Sequence, residues 1–104
     1  MKNTINLEWL TDLFINDKYT ISLYFKGIDI GFKKELPKPL IKIKDDTVFM
    51  TWESIIWNKA TIKADSAMIR NSRKIVCNMD FEKEYESVNG DFKIKFPEDL
   101  IRIG

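Results

Sequence analysis

The sequence predicts a mainly β domain, an antiparallel β-sandwich of about eight short strands preceded by one N-terminal α-helix. The strongest observation is that the apolar Ile75, Cys77, Met79 and Phe81 alternate with the polar Lys74, Asn78, Asp80 and Glu82, and that apolar and polar residues alternate again over 91–96. Alternate side chains of a strand point to opposite faces, so each segment has one apolar and one polar face. Asn89-Gly90 lies between the two segments and favours a type I′ hairpin turn, which needs positive φ at both central residues. Repeated short strands separated by turns are typical of sandwiches and barrels.

The segment from Thr4 to Asn16 has the spacing of a helix. Its apolar residues recur at intervals of three and four, at Ile5, Trp9, Leu10, Leu13 and Phe14. Thr4 or Asn3 is a suitable N-cap, and the turn-forming residues Asn16, Asp17 and Lys18 end the pattern. We therefore expect a single domain over 1–104, with a helix at 4–16 and a β-sandwich at 19–103.

Alternation with a period of two begins at Tyr19 and continues through most of the remaining chain. Turns are predicted at Gly27, Asp45-Asp46 and Asn71-Ser72, where small or polar residues interrupt the alternation. The predicted strands are Tyr19–Lys26, Ile28–Phe32, Leu40–Lys44, Thr47–Trp52, Ala60–Lys63, Ser66–Arg70, Lys74–Phe81, Phe92–Phe96 and Leu100–Ile103.

The composition excludes several kinds of catalytic chemistry. The 104 residues include no histidine and one cysteine, so Ser-His-Asp and Cys-His nucleophile systems and histidine or thiolate zinc sites cannot form within the chain. Cys77 lies on the apolar side of its strand, and we expect a small core residue there. We expect no enzymatic activity, no cofactor and no metal.

Charge and hydropathy also limit the expected partners. Seventeen Lys and Arg residues against sixteen Asp and Glu residues leave a net charge of +1, which gives no overall attraction to nucleic acid or to an anionic membrane. No apolar run approaches the roughly 20 residues that a spanning helix needs. No signal peptide is recognisable, so we expect synthesis in the cytoplasm.

Four carboxylates, Asp80, Glu82, Glu84 and Glu86, alternate along one extended stretch. A hard cation needs several oxygen ligands that converge on one point. A linear stripe instead separates the carboxylates by roughly 6–7 Å. We therefore expect a solvated strand face there.

Two tryptophans are the main candidates for an interaction site. Trp52 and Trp57 either fill the core or anchor an interface, where tryptophan is enriched. Basic residues lie near them on or beside predicted strands, at Lys42, Lys44, Arg70, Arg73, Lys93 and Lys95. Aromatic platforms flanked by cations hold single-stranded nucleic acid in OB-type barrels, although acidic residues are interleaved here. Our candidate interface residues are Trp57, Trp52, Arg70 and Arg73.

The order of elements carries a family resemblance. The helical segment runs into DKYTISLYFKGIDI, followed by the connector KKELPKPLIKI, then WNKATIKADSAMIRNSRKIVCNMDF and finally SVNGDFKIKFPEDLIRIG. From about Leu10 to Gly104 the chain resembles small bacteriophage virion proteins of the tail-fibre-like or minor structural type. The shared features are patterns of strands and turns, so no functional residue is carried over.

The resemblance implies a non-enzymatic structural role in a virion, in the tail, in the baseplate or fibre-attachment region, or on the capsid surface. Such a protein acts through contacts with other virion proteins and through self-association, and we expect a homo-oligomer or symmetric assembly. Neither a membrane nor nucleic acid is an expected partner, and the expected location is the virion. The alternative is a small ligand-binding module for single-stranded nucleic acid or carbohydrate, based on Trp52, Trp57 and the nearby lysines.

Overall fold

The computed structural model describes residues 16–72 and 74–103 and confirms a mainly β protein. These residues form seven strands: β1 (Thr20–Phe25), β2 (Ile28–Glu35), β3 (Leu40–Lys44), β4 (Thr47–Thr51), β5 (Ile55–Arg70), β6 (Ile75–Ile94) and β7 (Ile101–Ile103). The helix predicted over 4–16 lies outside the described residues except for Asn16, which is part of a turn.

The strands form two antiparallel sheets. One has the order β2-β1-β5-β6 and the other the order β3-β4-β7. Lys26-Gly27 joins β1 to β2 with φ angles of 49° and 77°, and Asp45-Asp46 joins β3 to β4 with φ angles of 51° and 61°. Two successive positive φ angles define the type I′ turn, whose twist matches that of the flanking strands. The predicted turns at Gly27 and Asp45-Asp46 are therefore confirmed.

The hairpin turn predicted at Asn89-Gly90 is wrong. β6 continues through both residues, and Gly90 pairs with Ala60 of β5. Asn89 does have a positive φ of 48°, but it uses this conformation in a β-bulge, where its N–H donates to Thr61 Oγ1 at 3.0 Å. A residue that tolerates positive φ suits a bulge as well as a turn. The segments on either side of Asn89 pair with β5 and not with each other.

The two longest strands replace shorter predicted ones. β5 has 16 residues and β6 has 20, and the turn after Arg70 connects them as predicted at Asn71-Ser72. Asn71 N–H donates to Lys74 O at 3.1 Å, and Lys74 N–H donates to Asn71 Oδ1 at 2.9 Å. Bulges accommodate the breaks in alternation that suggested separate strands.

The largest irregularity lies in the middle of β6. Ser66 pairs with Asp80 and Ala64 pairs with Tyr85, so β6 holds extra residues between these two pairs. Glu82 takes a φ of 65° there, and its N–H donates to Asp80 Oδ1 at 2.8 Å. We call the segment from Phe81 to Glu84 the β6 bulge.

Residues from both sheets belong to one apolar cluster. Ile21 and Leu23 of β1 are fully buried in it, as is Ile69 of β5, and Met50 of β4 is 1% exposed. The ring of Trp52, the residue after β4, meets that of Phe96 at 6.1 Å between centroids. Burial of such side chains is the main favourable contribution to folding.

Candidate functional site at the edge of β6

The two outer strands of the four-stranded sheet are β2 and β6, and β2 carries features that discourage edge pairing. Gly31 interrupts it with a φ of 85°, and Gly31 N–H donates to Asp29 Oδ1 at 2.8 Å. Lys34 pairs with the buried Ile21 and so points toward the core side. Its ammonium group donates to the carbonyl oxygen of Ile56 and lies 5.6 Å from the ring centroid of Trp57. A bulge and an inward-pointing charge both protect an edge strand from further pairing.

A groove of about 430 Å³ lies along β6, which is an edge strand within the part of the chain that the structure describes. We call it the β6 groove. It is lined by the apolar residues Met79, Phe81, Tyr85, Phe92 and Ile94 and by the charged residues Glu86, Asp91, Lys93 and Lys95. Apolar residues bordered by charges are typical of a protein interaction surface.

The β6 bulge positions two aromatic rings in the groove. The centroids of Phe81 and Tyr85 are 5.9 Å apart, and their planes make an angle of 78°, an edge-to-face arrangement. Lys83 Nζ lies 5.0 Å from the centroid of Tyr85. Tyr85 nevertheless remains 44% exposed and Val88 71% exposed, so both side chains offer apolar area to a partner.

The charged residues that border the groove are separated along β6 into an acidic and a basic part. Glu86 pairs with Lys63 of β5 in the sheet, while Lys93 pairs with Ile56. Glu84 Oε2 lies 3.6 Å from Lys63 Nζ, and both side chains are about half exposed, so this ion pair stabilises the fold little. Glu86, Lys93 and Lys95 are exposed.

The predicted interface residues do not form one surface. Trp52 is 2% exposed and Trp57 is 8% exposed. The ring of Trp57 packs edge-to-face on that of Phe92, with 6.2 Å between the ring centroids. Both indoles therefore fill the core and offer no free ring face. Arg70 lies at the exposed end of β5, where its Nη2 donates to Tyr24 Oη at 3.3 Å. Arg73 lies outside the described residues.

The other sequence-based candidates have these positions. Lys42 and Lys44 are on β3 in the three-stranded sheet, whereas Lys93 is on β6, so the basic residues are not collected on one sheet. The four alternating carboxylates are exposed as predicted, but the β6 bulge interrupts their stripe. In the described ranges, no group of three or more Cys, Asp or Glu residues is arranged to hold a metal ion.

Two core atoms have unusual surroundings. Cys77 is half-buried at the margin of the core, less buried than predicted, and burial raises the pKa of its thiol above 9.0. Trp52 Nε1 is buried without a hydrogen-bond partner among the described residues. An unpaired buried donor costs about 1–3 kcal/mol, so the surrounding rings must stabilise the Trp52 position by packing.

Sequence reasoning missed Tyr85 and Phe81 because their proximity depends on the β6 bulge. The available signal was weak: two aromatic residues bracket a run of charged ones, Glu82, Lys83 and Glu84. On a regular strand, residues four positions apart share a face but lie roughly 13 Å from each other, which is too far for these two rings to be in contact.

The β6 groove is thus the candidate functional site among the described residues. In the portion of the chain described, no helix has the length and apolar character needed to cross a membrane. Comparison of the chain with protein-family models, curated proteins and solved structures found no match.

Proposed function

We propose that this protein is a non-enzymatic structural component of a bacteriophage particle that acts through protein–protein contacts. The proposal of protein–protein contacts is supported by the β6 groove, where Tyr85 is 44% exposed beside charged residues. Apolar area at an otherwise polar surface favours a protein partner. The virion part is supported by the resemblance of the strand and turn pattern from about Leu10 to Gly104.

The arrangement we propose for this component is a β-sandwich with an N-terminal helix over 4–16. Support for the sandwich comes from the apolar cluster that residues of both sheets share, such as Ile21 of β1 and Met50 of β4. A stable β unit whose β2 edge is irregular and carries an inward-pointing lysine suits a particle component, because these features limit uncontrolled association at that edge.

The experiment is immunogold labelling of particles purified from the source culture, with an antibody raised against this chain. Labelled tails or capsids are the expected result and also give the position in the particle. Mass spectrometry of the same particles provides an independent measurement when the epitope is buried. Particles that lack both the label and peptides of this chain would refute the proposal.

The ligand-binding alternative has less support from the geometry. Stacking of bases needs exposed aromatic faces, and the rings of Trp52 and Trp57 are almost completely buried. We therefore expect flat titrations with single-stranded oligonucleotides and glycans. Salt-dependent binding that Lys93→Glu abolishes would revive the alternative.

A further inference from the structure

We propose that a second copy of this chain docks antiparallel along the β6 edge, with Glu86 of one copy beside Lys93 of the other. This inference deepens the proposed function, on which it rests, by naming the partner as the chain itself. A two-fold axis between Asn89 and Gly90 relates the copies, so every contact occurs twice, as in an isologous dimer.

The bulge at Asn89 places Glu86 and Lys93 on the same face of β6, as this register requires. In a regular strand, residues an odd number of positions apart, such as Glu86 and Lys93, point to opposite faces. Here the sheet partners fix the faces: Trp57 and Ile62 are buried on the core side, so their neighbours Ile56 and Lys63 point outward. Lys93 pairs with Ile56 and Glu86 pairs with Lys63, which places Glu86 and Lys93 on the same outer face.

The charges on this outer face are self-complementary. Antiparallel docking about the axis sets Glu86 of each copy against Lys93 of the other. It likewise sets Glu84 of each copy against Lys95 of the other. The reverse, parallel arrangement would set acidic residues against acidic residues and lysines against lysines. Charge complementarity of this kind fixes register and suppresses wrong partners.

The same register also matches the apolar face. Tyr85 pairs with the buried Ala64, so it lies on the core side of β6. Docking brings Tyr85 of one copy beside Ile94 of the other, at the apolar floor of the β6 groove. One arrangement thus covers the exposed ring of Tyr85 and pairs the charges, which is the reason for choosing a second copy over an unrelated partner.

Sedimentation velocity over a protein concentration series tests the proposal with charge-swap variants. We expect the wild type to dimerise reversibly. We expect Glu86→Lys and Lys93→Glu each to weaken dimerisation by about tenfold or more, because each creates two like-charge contacts per dimer. An equimolar mixture of the two variants restores every contact and should form a heterodimer of wild-type affinity. Tyr85→Ser should weaken dimerisation without changing the charge.

Matched controls separate the interface from general charge effects. Lys44→Glu on β3 and Glu53→Lys between β4 and β5 change the net charge equally on exposed residues elsewhere, and both should dimerise like the wild type. An unchanged urea midpoint shows that each variant is folded. A wild type that stays monomeric throughout the series, or variants that fail to complement each other, would overturn the proposed dimer.

The dimer proposal and the virion proposal can fail independently of each other. Complementation by variants of a chain that is absent from particles would support the dimer and refute the virion role. Labelled particles together with variants that do not complement each other would do the opposite.

Discussion

At the scale of single residues, stability depends on a few fully buried side chains. Ile69 of β5 lies opposite Ile21 of β1, and both are 0% exposed. Truncation of either side chain leaves a cavity, so the folded protein loses the transfer free energy of the removed groups and also the van der Waals contacts around them. Ile28, in contrast, is 68% exposed at the start of β2 and buries little.

Replacement of Ile69 by alanine should lower the free energy of unfolding by about 2–5 kcal/mol. Urea unfolding followed by circular dichroism measures the change. The matched control is Ile28→Ala, which removes the same atoms from a solvent-exposed position and should change the free energy by less than about 0.5 kcal/mol. Equal effects of the two substitutions would contradict the buried position of Ile69.

Two titratable residues, the buried Tyr19 and the half-buried Cys77, predict a pH dependence of stability. Burial raises the pKa of the Cys77 thiol above 9.0, and burial followed by the Asp17 carboxylate raises the pKa of the Tyr19 hydroxyl above 10.0. The folded protein keeps these protons at pH values where the unfolded chain has lost them. The stabilisation is therefore complete below the unfolded pKa values and is lost as the pH rises through the folded ones.

We expect the free energy of unfolding to fall as the pH rises from neutral through 9.0 and 10.0. Urea titrations at a series of pH values measure this slope. Cys77→Ser and Tyr19→Phe should each make the slope shallower, because each removes one of the two titrations. A slope that is identical in the wild type and both variants would show that neither group is responsible.

At the scale of elements, the turns and bulges determine how the strands are paired. Gly27 completes a type I′ turn with a φ of 77°, and a Cβ there would meet no atom within 4 Å, so only backbone strain opposes a side chain. Gly90 lies inside β6 without a positive φ, and its nearest neighbour would be Val88 O at 3.7 Å. Gly27 is therefore needed for its backbone conformation, whereas Gly90 is not.

Gly27→Ala should destabilise the protein by about 1–2 kcal/mol, the cost of the left-handed conformation for a residue with a Cβ. Gly90→Ala should change the unfolding free energy by less than about 0.5 kcal/mol. Chemical denaturation of both variants tests the assignment of Gly90 to the β5–β6 ladder beside the bulge at Asn89. A large loss on Gly90→Ala, similar to that of Gly27→Ala, would indicate a turn at 89–90 instead.

At the scale of the whole molecule, both sheets depend on one apolar cluster. Trp52 follows β4 of the three-stranded sheet and packs on Tyr19, which precedes β1 of the four-stranded sheet, with ring centroids 5.2 Å apart. Neither sheet has a separate large core among the described residues, since Met50 of β4 contacts the same cluster as Ile21 of β1. The two sheets should therefore lose their structure together.

Equilibrium unfolding should show one cooperative transition. In a Trp9→Phe background, fluorescence reports on Trp52 and Trp57, while far-ultraviolet circular dichroism reports on all strands. We expect the two signals to coincide over the urea series, with one midpoint. Separate midpoints would mean that the sheets unfold independently and that the shared cluster contributes little to cohesion.

The sequence by itself determined the β class, the apolar face of strands such as β1, and the turns at Gly27, Asp45-Asp46 and Asn71-Ser72. These properties depend on neighbouring residues: alternation sets the faces, and glycine and aspartate are among the residues that adopt a positive φ most readily, as Gly27 and Asp45-Asp46 do. Only the tertiary structure decided that Asn89 forms a bulge, because a positive φ at this residue suits a turn and a bulge alike, and the two differ in which strand pairs across them. The β6 groove follows from that pairing, since the long β5 holds both halves of β6 and thereby leaves Tyr85 exposed at the edge of the sheet.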